Sequence, residues 1–156
     1  MSRVQLALNV SDLDQAVEFY SKLFATPPAK LRPGYANFAV TEPALKLVLI
    51  QNEGQPNGSI NHLGVEVEST QLVEAAKARL AAAGLTTVVE DEVTCCYALQ
   101  DKVWAHGPGG EEWEFYTVLS DTEMSEGQLR AGGPNGAACC ADRRDLAGAA
   151  AETSCC

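Results

Sequence analysis

The sequence predicts an α+β protein built from two tandem βαβββ modules. Strand-like alternation of apolar and polar residues opens the chain at residues 3–10 and returns at residues 61–67. Each of these strands is followed by a helical pattern and then by three short strand candidates. A turn-rich segment, residues 53–58, separates the two series. The repeat therefore predicts modules of about 3–51 and 60–119.

The first module begins with a strand whose two faces differ. Leu6, Leu8 and Val10 form the apolar face, and Gln5 shares the opposite face with Ala7 and Asn9. A helix capped by Ser11 or Asp12 is predicted to run to about Phe24, before the pair Pro27-Pro28. The remaining strands are predicted at residues 29–32, 35–40 and 45–51.

The second module repeats this order. Its first strand places His62, Gly64 and Glu66 on one face, and it aligns without a gap with the first strand at an offset of 57 residues. Ser69 or Thr70 is predicted to cap a helix that runs through Ala83, since Gly84 is a natural stop. The remaining strands are predicted at residues 86–90, 98–106 and 111–119. Matching element order favours a true duplication over chance resemblance.

Length and charge bound the function. With 156 residues, the chain is long enough for one domain, assigned to residues 1–119. The net charge of −10 repels phosphate backbones and anionic membranes, so no nucleic acid or membrane partner is expected. No leader or bilayer-length apolar run is seen, and a cytoplasmic protein, monomeric or homodimeric, is expected.

The six cysteines come as three adjacent pairs, Cys95-Cys96, Cys139-Cys140 and Cys155-Cys156. Oxidation within a pair closes a strained ring, so a structural disulfide is disfavoured there. In a reducing cytosol, such pairs indicate soft-metal ligands or redox groups. Residues 120–156 are predicted to be a flexible Gly/Ala-rich tail with at most a short helix near 141–151, and its two pairs either collect metal or are incidental.

Three residues form a candidate metal site. If the first strands of the modules lie beside an internal twofold axis, the equivalent residues Gln5 and His62 meet. Glu114 lies in the last strand, where burial of an unpaired carboxylate would be costly and a metal would satisfy it. Each residue alone has an ordinary interpretation as a polar strand residue, a hydrogen-bonded histidine or a surface carboxylate. Their repeat-related positions favour the metal site.

The donor set limits the metal. An amide oxygen, an imidazole nitrogen and a carboxylate suit Fe(II), Mn(II), Ni(II), Co(II) or Zn(II) better than soft ions. The counterpart of Glu114 in the first module falls near Val48, where the sequence offers no carboxylate. Three protein ligands leave open positions, which favours catalysis over a structural role. His106, beside a Gly-Pro turn, is expected to be exposed.

The chain resembles the vicinal-oxygen-chelate superfamily, which includes glyoxalases, bleomycin-resistance proteins and extradiol dioxygenases. The resemblance covers residues 3–119 and implies a glyoxalase-like open barrel. It is carried by VSDLDQAVEFY at residues 10–20, NHLGV at 61–65, GPGG at 107–110 and WEFY at 113–116. Because this superfamily hosts many chemistries, these motifs specify the fold better than the function.

A narrower resemblance is to the organoarsenical carbon–arsenic lyases and the cadmium-induced proteins. It is carried by RPGYANF at residues 32–38, LKLVLI at 45–50, TCCYA at 94–98 and QDKVW at 100–104. The resemblance implies an Fe(II)-dependent dioxygenase that cleaves the C–As bond of methylarsenite and aromatic arsenicals and releases arsenite, with dioxygen as co-substrate. It also implies that Gln5, His62 and Glu114 bind iron.

The same resemblance assigns Cys95 and Cys96 as arsenic ligands. Trivalent arsenic with one carbon substituent has two exchangeable positions, which two adjacent thiolates can fill. Polar Thr94 and the acidic residues 90–92 favour an accessible, mobile loop for the pair, and the alternative is a buried strand end. Tyr97, Lys102 and Trp104 are candidates for the pocket wall, although packing in the core or on the surface is favoured for each.

Two other functions stay open. One is a non-catalytic protein that binds cadmium or arsenic through its cysteine pairs. The other is a glyoxalase-like isomerase or an antibiotic-binding resistance protein. The last is disfavoured because neither use requires Cys95 and Cys96, and because a glyoxalase site needs a fourth ligand.

Overall fold

The structure is a computed structural model that describes residues 2–95 and 97–122. The order of its helices and strands is βαβββ followed by βαβββ, which confirms the predicted fold class. The first module comprises β1 Arg3–Val10, α1 Leu13–Leu23, β2 Lys30–Arg32, β3 Tyr35–Val40 and β4 Leu45–Gln51. The second comprises β5 Ile60–Glu66, α2 Thr70–Ala82, β6 Thr87–Cys95, β7 Ala98–His106 and β8 Glu112–Asp121.

One predicted segment is wrong. The sixth strand was expected to end at Glu90 and to be followed by an accessible loop, but β6 continues to Cys95, whose side chain is buried. The cause is an irregularity between Glu90 and Val93, which breaks the two-residue alternation on which the prediction depended. The predicted tail, including the pairs Cys139-Cys140 and Cys155-Cys156, lies outside the described residues.

All the strands join one sheet in the order β2-β3-β4-β1-β5-β8-β7-β6. β1 and β5 pair antiparallel at its centre, β1 pairs in parallel with β4, and β5 pairs in parallel with β8. The two modules are thus related by a twofold axis between β1 and β5. In this register Gln5 lies opposite Gly64, and Ala7 lies opposite His62.

The helices cover one face of the sheet. Asp12 caps α1 by accepting a hydrogen bond from the Gln15 amide at 2.9 Å. The expected apolar face of β1 packs under this helix, since Leu6, Leu8 and Val10 belong to its hydrophobic cluster. In the described part of the chain, neither helix is long and apolar enough to span a bilayer.

The other face curls into a cavity. The ammonium of Lys30, on edge strand β2, donates a hydrogen bond to the carbonyl of Tyr97, which follows edge strand β6, at 3.1 Å. The Tyr97 hydroxyl donates to the carbonyl of Pro33 at 3.2 Å. Because opposite edges of the sheet are in contact, the helix-free face is concave. Gln5, His62 and Glu114 lie on this face.

Candidate metal centre

The register of four adjacent strands places the candidate ligands. Gln5 on β1 pairs with Gly64 on β5, Gly64 pairs with Glu114 on β8, and Glu114 pairs with Trp104 on β7. Directly paired residues point to the same side of a sheet, so this row faces the cavity together. His62 precedes Gly64 by two residues and shares its face.

The structure brings Gln5, His62 and Glu114 into contact. Their exposed fractions are 4%, 3% and 3%. Gln5 Nε2 lies 2.6 Å from Glu114 Oε1 and 2.9 Å from His62 Nε2, and His62 Nε2 lies 3.4 Å from Glu114 Oε1. Three potential donor groups from three strands therefore converge on one buried point, as the internal repeat predicts.

The spacing fits one transition-metal ion. Two ligand atoms bound at about 2.1 Å are separated by roughly 3.0 Å in octahedral and 3.4 Å in tetrahedral geometry. His62 Nε2 and Glu114 Oε1, 3.4 Å apart, match the tetrahedral value. The separations of 2.9 and 2.6 Å join these atoms to the Gln5 amide nitrogen, whose place the amide oxygen would take when it binds a metal. Glu114 Oε2 is buried without a hydrogen-bond partner, which leaves carboxylate binding capacity unused. The described residues contain no group of three His, Cys, Asp or Glu that could hold a metal, so this site depends on Gln5.

Gly64 creates the space between the outer ligands. A Cβ atom built at residue 64 would lie 2.9 Å from Glu114 Cγ and 3.3 Å from Gln5 Cβ. It would also approach the main-chain oxygen of Glu114 at 3.4 Å. The absence of a side chain at this position thus lets both neighbours lean toward each other over β5.

Asn61 orients the imidazole of His62. His62 Nδ1 lies 2.7 Å from Asn61 Oδ1, an acceptor, so the proton belongs on Nδ1. The amide nitrogen of Asn61 in turn donates to Asn9 Oδ1 at 2.9 Å. With the proton on Nδ1, the lone pair of His62 Nε2 faces Gln5 and Glu114, which is the tautomer that binds a metal.

Replacing Asn61 with alanine is expected to weaken metal binding by about tenfold, because outer-shell partners of a ligating histidine typically contribute 10- to 100-fold. Calorimetric titration with Zn(II) would measure the change. Asn57→Ala is the matched control, since Asn57 Oδ1 accepts only an exposed hydrogen bond from the Ser11 amide. Equal affinities for Asn61→Ala and wild type would show that another group orients His62.

Glu114 is a buried carboxylate held in its ionised form. Burial alone would raise its pKa, but the charge of Lys102 and the contacts with His62 and Lys46 outweigh burial and lower the pKa to about 2. Lys102 Nζ lies 3.4 Å from Glu114 Oε2, and the Lys102 side chain is 1% exposed. The carboxylate is therefore ready to bind a cation at any physiological pH.

Lys102→Met is expected to change how stability depends on pH. In the wild type, the stabilisation due to ionised Glu114 is complete above its unfolded pKa near 4.5 and is lost as the pH falls toward about 2. Without Lys102, less positive charge opposes the effect of burial, and the pKa of Glu114 rises. The difference in unfolding free energy between the two proteins should then grow with rising pH by about 1.4 kcal/mol per unit.

Urea unfolding of the metal-free proteins between pH 3 and 6 would measure this slope. The growth should stop where Glu114 of the variant is ionised. A difference that stays constant over the whole range would contradict a charge interaction between Lys102 and Glu114, because a packing defect alone has no pH dependence.

The Gln5 amide also contacts the hydroxyl of Tyr116. Tyr116 Oη lies 2.5 Å from Gln5 Oε1 and 2.8 Å from Glu66 Oε2, and Glu66 is anchored by Arg3 at 2.9 Å and Lys46 at 3.0 Å. One hydroxyl proton cannot serve both acceptors. If Gln5 turned its oxygen toward a metal, its NH2 group would donate to Tyr116 Oη, and Tyr116 would donate to Glu66. Every polar group would then have a partner.

The first module offers an apolar wall instead of a fourth ligand. Val48 pairs with Ala7, as Glu114 pairs with Gly64 in the second module. The structure therefore places Val48, which is not a carboxylate, at the position in the first module that corresponds to Glu114. The buried residues that cluster around this position are Ala7, Tyr35, Val48, Ile50 and Tyr97. The cavity thus has a polar half at Glu114 and an apolar, aromatic half at Val48.

Cys95 lies at the tip of the β6–β7 hairpin, opposite Ala98. Its side chain is 1% exposed and disulfide-bonded, so the expectation of an accessible thiol is wrong for this residue as it stands in the structure. A thiolate role requires that this bond be reduced. Cys96 lies outside the described residues.

The other candidate residues divide into two groups. Trp104 and Lys102 are buried beside the triad, with the Trp104 ring edge-on to His62 at 5.6 Å and Lys102 Nζ 5.4 Å from the Trp104 ring centre. Tyr97 is buried in the apolar half of the cavity. His106 is exposed, as expected, and lies 3.9 Å from Glu112.

Sequence reasoning missed the supporting residues Asn61, Gly64, Glu66 and Tyr116. A usable signal existed for two of them. Glu66 lies four residues beyond His62 on β5, and Tyr116 lies two residues beyond Glu114 on β8. The alternation that selected the triad therefore also places these two residues on the same face. No pattern in one sequence indicates that Gly64 separates two ligands, because that depends on strand register.

A cavity of about 640 Å³ lies away from the triad. It contains none of the three candidate ligands and is lined by Ser11, Asp12, Leu13, Asp14, Leu31, Arg32, Pro33, Gly34 and Gln51. Its charged residues, such as Asp12 and Arg32, do not form the converging, buried set of donors that the triad does. The concave face is the better candidate for the functional site.

The family model for the glyoxalase/bleomycin resistance protein/dioxygenase superfamily matches residues 3–115. Among solved structures, homoprotocatechuate 2,3-dioxygenase from Arthrobacter globiformis is similar, with a TM-score of 0.57 and 23% identity over 76% of this chain and 36% of that chain. The Mn(II)-bound glyoxalase from Novosphingobium aromaticivorans has a TM-score of 0.56 and 19% identity, covering 81% and 44%. These likenesses concern the fold.

Two relatives are more similar in sequence. The cadmium-induced protein CadI of Mycobacterium tuberculosis is 63% identical over 123 residues, which cover 79% of this chain and 80% of that protein. The trivalent organoarsenical cleaving enzyme of Thermomonospora curvata is 53% identical over 157 residues and covers both chains fully. A protein of the latter name from Bacillus sp. is 42% identical over 79% of this chain and 77% of its own.

Proposed function

Since the chain belongs to the glyoxalase/bleomycin resistance protein/dioxygenase superfamily, we propose that it is an Fe(II)-dependent lyase that cleaves the carbon–arsenic bond of trivalent organoarsenicals. The observation that carries the proposal is the buried convergence of Gln5, His62 and Glu114 on the same concave face as an apolar wall. The relatives named trivalent organoarsenical cleaving enzymes support the choice of substrate.

The side chains of the site have separate roles in this proposal. Gln5, His62 and Glu114 would hold the iron, which when bound supplies a centre for dioxygen activation. Lys102 holds a positive charge beside Glu114 and keeps that carboxylate ionised. Trp104 packs against His62 and excludes water from its ring. The apolar wall, including Val48 and Tyr35, suits the methyl or aryl group of the substrate.

The cysteine pair would bind arsenic. Two reduced thiols at Cys95 and Cys96 replace the two hydroxyl groups of methylarsenite, and two water molecules leave. For methylarsenite, the balanced overall reaction transfers one oxygen atom of O2 to carbon, which gives formaldehyde, and the other to arsenic, which gives arsenite. Arsenic stays trivalent and the carbon is oxidised.

The hairpin must move for this reaction. Cys95 lies opposite Ala98, whereas Glu114 lies opposite Trp104, six residues further along β7. Six residues of strand span about 20 Å along β7, so we propose that the tip moves toward the triad when it carries arsenic. Tyr97 holds the tip through its hydroxyl and its carbonyl, and release of these bonds would let the tip approach the metal.

A metal-sequestering protein is the second candidate, because the relatives include a cadmium-induced protein. The two functions differ in turnover. Reduced protein, loaded with iron without oxygen, would receive excess methylarsenite and then air, and arsenite and formaldehyde would be measured. Equal amounts of both, beyond one per protein, are expected. Retention of one arsenical per protein, with no arsenite above that of the metal-free control, would favour sequestration.

The cytoplasmic location of the protein stays a prediction.

A further inference from the structure

The strand that leads to the cysteine pair contains one residue too many. Glu90 lies opposite Lys102, and Val93 lies opposite Gln100. Asp91 and Glu92 therefore share the single partner position of Asp101. Two residues opposite one define a β-bulge, and Glu92 adopts the positive φ of 51° within it.

The bulge determines which side chains at the end of β6 lie on the concave face of the sheet. Lys102 lies on the concave face because its ammonium approaches Glu114, and regular alternation along β7 puts Gln100 and Ala98 on that face too. Cys95, the partner of Ala98, therefore faces the cavity. If the same sequence continued in regular pairing from Glu90 and formed no bulge, Thr94 would pair with Ala98 and Cys95 would turn to the helix side.

Alternation along β7 itself is uninterrupted. The irregularity between β7 and β8 occurs where Leu99 pairs with Ser120 and Gln100 pairs with Val118, so the extra residue, Leu119, belongs to β8. The face of Ala98 can thus be counted back from Lys102 without a break.

Asp101 holds the bulge in place. Its Oδ1 accepts a hydrogen bond from the main-chain nitrogen of Glu92 at 2.9 Å, and its Oδ2 accepts one from the hydroxyl of Thr70 at 2.5 Å. Asp101 is 6% exposed. Thr70 is the first residue of α2, so one buried carboxylate ties the bulge to a helix.

We propose that the bulge at Asp91 and Glu92, fixed by Asp101, is the device that places the first cysteine of the arsenic-binding pair on the metal face. Asp101 is then a positioning residue for an arylarsenical or methylarsenical ligand. The proposal rests on the proposed function in one respect, the role of Cys95 as an arsenic ligand.

A substitution that removes the bulge without shortening the chain tests the proposal. All measurements use the full chain, reduced, with Cys139, Cys140, Cys155 and Cys156 replaced by serine, and the probe is phenylarsenous acid. Its binding is followed by the tryptophan fluorescence, to which buried Trp104 on the same face contributes. The double variant Asp101→Ala, Glu92→Val removes the bond to the bulge and puts a β-branched residue where φ is positive. Regular pairing should then turn Cys95 away and weaken binding at least tenfold. Adding Thr94→Cys should restore binding, because residue 94 then faces the cavity, and a purely structural role would not give this rescue.

Further variants cover the case in which the double variant does not fold. Deletion of Glu92 removes the extra residue itself, so Cys95 stays opposite Ala98 and binding should stay within twofold of wild type. Asp101→Ala should weaken phenylarsenous acid binding severalfold. Thr70→Ala removes only the helix-side bond to Asp101 and should bind within twofold of wild type, as should Glu92→Gly, in which glycine accepts the positive φ. Equal binding by Asp101→Ala and Thr70→Ala, or loss of binding in a folded deletion protein, would overturn the proposal. If this binding pattern holds but no variant releases arsenite, the lyase proposal fails and the positioning role stands.

Discussion

Gly64→Ala is expected to reduce metal affinity by at least about 100-fold, the upper end of the loss seen when groups around a metal ligand are disturbed. The new Cβ would lie 2.9 Å from Glu114 Cγ and 3.4 Å from the Glu114 main-chain oxygen. The contact at 2.9 Å is with the Glu114 side chain close to its attachment point, so that side chain must shift and the carboxylate tilts away from Gln5 and His62. Overpacking should also lower the unfolding free energy by about 1–3 kcal/mol.

Titration with Zn(II) and urea unfolding would measure the two effects separately. Gly58→Ala is the control, because residue 58 has a positive φ of 77° and open space around it. That variant should lose stability through backbone strain while retaining its metal affinity. Unchanged Zn(II) affinity in Gly64→Ala would mean that the metal does not lie between Gln5 and Glu114.

Glu114→Gln is expected to abolish metal binding and lyase activity and to destabilise the metal-free protein. The substitution removes the one charged ligand and takes away the negative charge that lies 3.4 Å from the buried ammonium of Lys102. Removing one partner of a buried ion pair typically costs about 3–5 kcal/mol. Thermal or urea unfolding without metal would measure the loss of stability, and calorimetric titration the loss of affinity.

The double variant Lys102→Met, Glu114→Gln separates the two roles of the carboxylate. Removing both charges should recover most of the lost stability, because no uncompensated charge remains buried. Metal binding should stay absent. If the double variant regained metal affinity, Glu114 would act by neutralising Lys102 and would not be a ligand.

The fold and the geometry of the candidate triad followed from one pattern, the alternation of strand residues repeated in two modules. That pattern placed Gln5, His62 and Glu114 on the face away from the helices, and the structure brings them within 3.4 Å of one another. Their role as ligands remains a prediction. The pattern works here because β1, β5 from His62 onward and the site-bearing part of β8 follow the two-residue period.

The cysteine segment could not be predicted in the same way. The bulge at Asp91 and Glu92 shifts the period by one residue, and a sequence does not show where a strand takes an extra residue. The acidic side chains and Thr94 therefore suggested an accessible loop, although β6 continues through them to Cys95. Asp101, which holds the bulge, is ten residues from Asp91, and nothing in the motif QDKVW at 100–104 indicates a contact with β6.

The twofold seam between β1 and β5 implies that the two modules behave as complementary halves. Gln5 belongs to one half, whereas His62 and Glu114 belong to the other, so each half alone carries an unfinished set of ligands. A chain cut within residues 52–59, outside every strand, would have to reassemble along this seam before it could bind a metal. Because the ion would bind only the reassembled site, metal binding would stabilise the complex of the two fragments. The apparent dissociation constant of the fragments would then fall as the metal concentration rises.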